Sequence, residues 1–107
     1  MKTSLVVFAA VAVAMLGQVM PVAAGGCRDD MLTADQNVRR SQKGLDNAAG
    51  DTDGAQCTAY RRHIDALSEL RSVIARCDRG PNQSRNVQDV DTRIVTLAPR
   101  MREVCKP

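Results

Sequence analysis

Four cysteines, Cys27, Cys57, Cys77 and Cys105, constrain the fold of this chain of 107 residues more than any other feature. An even number in a short chain reads as two disulfides, provided that the protein reaches an oxidising compartment. The N-terminus supplies that condition. Lys2 precedes an unbroken apolar run of 12 residues from Leu5 to Leu16, and Gln18 and Pro21 then interrupt it. Val22-Ala23-Ala24 follows, with small residues where a signal peptidase reads them. We therefore expect a cleavable signal peptide at 1–24, cut between Ala24 and Gly25, and a periplasmic or secreted product. A bilayer-spanning helix wants about 20 apolar residues. The run reaches that length only by including Gly17, Gln18 and Pro21, so no stable membrane insertion is expected after cleavage.

Cleavage leaves a single domain at 25–107 with 14 basic and 12 acidic side chains. That balance is too even to point to nucleic acid or an anionic membrane. Tyr60 is the only aromatic residue left once Phe8 is removed with the signal. Binding modes that depend on stacking are correspondingly disfavoured.

Two turn-rich stretches, Gly50-Asp51-Thr52-Asp53-Gly54 and Asp78-Arg79-Gly80-Pro81-Asn82, divide the domain into three segments. The first sets Cys27, Met31, Ala34, Val38, Ser41, Leu45 and Ala48 at alternating steps of four and three. The third repeats the spacing through Val87, Val90, Ile94, Leu97, Met101 and Val104. Steps of this kind line up one face of a helix. In the middle segment Cys57, Tyr60, Ile64, Leu67, Leu70, Val73, Ile74 and Cys77 spread over about half the circumference at roughly 100° per residue. A helix so broadly apolar belongs between two partners. The expected fold is all-α, a small antiparallel up-down-up three-helix bundle stapled by two disulfides, with helices at about 28–48, 55–78 and 84–104. Thr33-Ala34-Asp35-Gln36 has the form of a capping box and offers a later start for the first helix. Pro99 lies away from the apolar stripe of the third, where a kink is expected, not an end.

Helix geometry decides among the three possible cysteine pairings. Cys57 and Cys77 on one helix are about 30 Å apart at 1.5 Å per residue, whereas a disulfide needs Cα atoms within about 7 Å. In an up-down-up bundle Cys27 and Cys57 start consecutive helices at opposite ends, so they fail on the same length argument. Cys27–Cys77 and Cys57–Cys105 remain. Cys27 also follows Ala24-Gly25-Gly26, a poor likeness of a bacterial lipobox. Lipid anchoring there would leave three cysteines, which makes a lipoprotein the minor alternative.

No catalytic, cofactor-binding or metal-binding constellation emerges, and no cofactor is expected. There is no C-x-x-C, and His63 is the only histidine. Asp51-Thr52-Asp53-Gly54 matches part of a calcium loop, but the alignment puts Ala49 and Tyr60 at ligand positions, so a turn that caps the next helix is preferred. His63 has Asp65 and Glu69 close in sequence, yet the spacing brings no serine or free thiol to it, which favours a structural histidine. Arg39-Arg40 and Arg61-Arg62 suggest a basic face, offset by the pairs Asp35–Arg39 and Arg61–Asp65 at one helical turn. The expected role is a non-enzymatic module, monomeric or a small homo-oligomer, that binds a protein partner as an inhibitor, immunity-like, chaperone-like or envelope accessory protein would. A structural, oligomer-forming envelope protein is the alternative, and a small-ligand carrier a weaker one. Intact-mass measurement of the exported protein should give a chain that begins at Gly25 with both disulfides formed; a mass that includes Met1 or a lipid would contradict the signal-peptide reading.

Overall fold

The computed structural model describes residues 26–107. The signal segment 1–24 and the cleavage position between Ala24 and Gly25 lie outside the described residues. Three helices follow one another: α1 at 26–48, α2 at Asp53–Cys77 and α3 at Gln83–Val104. The connections are short, so neighbouring helices run antiparallel and the bundle is up-down-up. α1 does not wait for Thr33, which sits exposed inside the helix.

Each connection is made by local hydrogen bonding. After α1, Gly50 takes φ +86°, a left-handed conformation that glycine adopts at little cost. The Thr52 hydroxyl then accepts from the Ala55 N–H at 3.2 Å and caps α2. α2 ends before Gly80, at the Asp78 cap, whose N–H donates to the Ile74 carbonyl. The Asp78 carboxylate also accepts from the Gly80 N–H at 2.9 Å and from Asn86 Nδ2 at 3.0 Å, which folds the second connection onto α3. The same two bonds, the backbone one first, hold its pKa below the usual aspartate value. α3 runs through Pro99 to Val104. Proline removes the donor for the carbonyl of Val95, and both residues are exposed, so water can take its place.

The core lies along the seam of the three helices. Val38 from α1, Leu67 and Ile74 from α2 and Val90 from α3 form its buried centre. Met31, Ala66, Leu70, Val87, Ile94 and Leu97 pack around them. Residues at the expected stripe positions fill this seam, and α2 contributes to both sides of it. Cys27–Cys77 closes one end with Cα atoms 5.5 Å apart, and Cys57–Cys105 closes the other at 4.9 Å. No cysteine is free. The Cys27 sulfur cannot carry the thioether of a lipid anchor while it is in this bond.

Two ion pairs repeat the arrangement of the disulfides. Arg76 meets Asp30 of α1 at 3.0 Å, and Arg71 meets Asp91 of α3. All four side chains are well exposed, so each pair is worth at most about 1 kcal/mol. Burial matters more. Leu67 is fully inaccessible, and Leu67→Ala should lower the unfolding free energy by about 2–5 kcal/mol, read from the denaturant midpoint at unchanged m-value.

Candidate functional site

The apolar seam is interrupted by one polar pair. His63 of α2 is 2% exposed, and its Nδ1 lies 2.8 Å from the Ser41 hydroxyl of α1. Ser41 occupies a stripe position, one turn beyond Val38, so the spacing that buries α1 also aims this hydroxyl at α2. The hydroxyl has a single hydrogen and two acceptors within reach, the Val38 carbonyl at 2.9 Å and the His63 Nδ1. When that hydrogen goes to Val38, Nδ1–H donates to the serine oxygen; when it goes to Nδ1, the neutral ring carries its proton on Nε2.

Ser41 is the partner that the sequence reading did not supply. It was visible as a polar residue on an apolar stripe, but only packing shows that two such interruptions, 22 residues apart, meet. Burial lowers the His63 pKa most, the positive charge of Arg93 lowers it further, and Asp46 opposes both.

The pair separates two surface clefts. On one side His63 lines a cleft with Gln42 of α1 and Thr92, Arg93, Thr96 and Leu97 of α3. On the other, Ser41 forms part of a groove between α1 and α2, with Asn37 and Arg40 on one wall and Arg62, Asp65, Ala66 and Glu69 on the other. Asp35 and Arg39 form the expected pair at 3.0 Å. Arg61 and Asp65 do not. Asp65 turns to the groove instead, and none of Arg40, Arg62, Asp65 or Glu69 is in an ion pair with another described residue. The helix spacing permits the Arg61 contact, but both side chains are exposed, and solvation competes with so weak a pair.

The turn at Asp51–Gly54 is a helix cap: Asp51 accepts from the Thr52 N–H at 2.7 Å, and Gln56 Nε2 donates to the Asp51 carbonyl at 2.8 Å. Among the described residues no group of three or more His, Cys, Asp or Glu is arranged to hold a metal ion. Comparison with protein-family models, curated proteins and solved structures gave no match to the chain. The functional reading therefore rests on the geometry.

The lowered His63 pKa has a defined consequence. The unfolded state binds the proton first, so the stability that His63 contributes is complete above its unfolded value of about 6.5 and is lost as pH falls through that value towards the lower folded one. Asp78 acts in a separate window, below the ordinary aspartate range. Denaturant midpoints measured between about pH 7.5 and about pH 5 should fall in the wild type and change less in His63→Gln. Equal slopes would show that the histidine does not carry the effect.

Proposed function

We propose that this protein is an exported, disulfide-stapled module that docks another protein through the α1/α2 groove and catalyses no reaction. The observation that carries this reading is the groove itself. Four charged side chains line it without an ion pair among the described residues, on walls whose separation is already set. Cys27–Cys77, Asp30–Arg76 and Ser41–His63 all bridge α1 to α2. Binding to such a surface requires little ordering of the backbone, which is the main benefit of pre-organisation.

Two disulfides suit an oxidising compartment. Among the described residues no helix is long and apolar enough to cross a membrane. Inhibitor, immunity-like, chaperone-like and envelope accessory roles all use a surface of this kind. A small-ligand carrier fits less well, because Leu67, Ile74, Val38 and Val90 fill the centre and the cleft beside His63 lies at the surface.

Immobilised wild-type protein and the Arg40→Ala/Glu69→Ala variant should be compared as baits in envelope extract, with matched circular dichroism. A specific protein retained by the wild type and lost by the variant is the expected result. Equal recovery on both baits would remove the groove from the binding surface.

A further inference from the structure

The charge on the groove is ordered, and the order selects a partner. Along α2 the groove is lined by Arg62, Asp65, Ala66 and Glu69. Arg62 and Glu69 are two turns apart, about 10 Å along the axis, with Ala66 between them. One wall thus changes from basic at Arg62 to acidic at Asp65 and Glu69. Arg40 on the opposite wall brings the four charges to a net of zero, so two such faces do not repel as wholes.

A surface with opposite charges at its two ends is complementary to itself. A two-fold axis that crosses α2 near Ala66 lays Arg62 of one copy over Glu69 of the other, and Glu69 over Arg62, as an isologous contact requires. It also brings the two Asp65 carboxylates together beside the axis, so two attractive pairs stand against one like-charge contact. The short side chain of Ala66 lies at the crossing, where small residues let helices approach. The parallel arrangement would oppose like charges and is rejected. We infer that the occupant of the groove face is a second copy of this chain, packed antiparallel across α2. This rests on the reading of the groove as a docking surface and adds the identity of the partner. Because the charges are exposed, the dimer is weak and salt-sensitive.

Sedimentation equilibrium of the disulfide-intact protein tests this, at low ionic strength and rising concentration. The wild-type weight-average mass should climb from the monomer towards twice its value and return to the monomer in high salt. R62E alone and E69R alone should each stay monomeric. An equal mixture of the two should associate, because one supplies only acidic ends and the other only basic ends. The doubly exchanged R62E/E69R should self-associate again, which shows that loss in the single variants is not misfolding. A wild type that stays monomeric, single variants that still associate, or a mixture that does not would each overturn the inference. A monomeric wild type whose groove still captures a different protein overturns the self-pairing alone. A monomeric wild type without groove-dependent capture overturns the docking reading as well.

Discussion

The two disulfides hold α2 by both ends and by different neighbours: Cys77 to α1 at one end, Cys57 to α3 at the other. The loops they close span 50 and 48 residues, long enough for each bridge to restrict the unfolded chain by on the order of 4 kcal/mol in the chain-entropy picture. A domain of this size buries a limited apolar core, and its centre here rests on four side chains. Cross-linking at both ends lets so small a core hold three helices in one arrangement. It also keeps the two walls of the α1/α2 groove at a set separation.

Between those ends, the Ser41–His63 pair acts on register. A slide of α1 against α2 by one turn would part the hydroxyl from Nδ1 and leave a buried imidazole without its partner, which costs more than the bond is worth when made. Apolar stripes with a regular spacing tolerate such slides better than a single polar pair does. The pair thus complements the bridges: cysteines fix the ends, and the polar contact fixes the middle. Its sensitivity to protonation follows from the same burial that makes it specific.

Much of the fold was legible in the chain. The alternating steps of three and four in α1 and α3, and the broader apolar face of α2, identified the three helices and the central one among them. The cysteine pairing followed from helix length, because a rise of 1.5 Å per residue excludes every other combination. Element ends were less legible. Thr33 has a capping-box pattern but lies inside α1, since about two further turns let Met31 pack against the core and Cys27 reach Cys77. α2 ends at Cys77, within one residue of the expected end at about 78, where Asp78 takes up the backbone and side-chain bonds of the connection.

What the sequence determined by itself is what depends on short range and on periodicity: helical segments, the faces they bury, and which cysteines can meet. These follow from bond geometry and from the separation of apolar and polar residues along one chain. The tertiary structure alone decided that Ser41 meets His63, that Asp65 lines the groove rather than pairing with Arg61, and that four charges share the face between α1 and α2. Those are contacts between elements. They depend on rotation and register to within an ångström or two, and a heptad pattern specifies which face is buried without specifying which atoms across it touch.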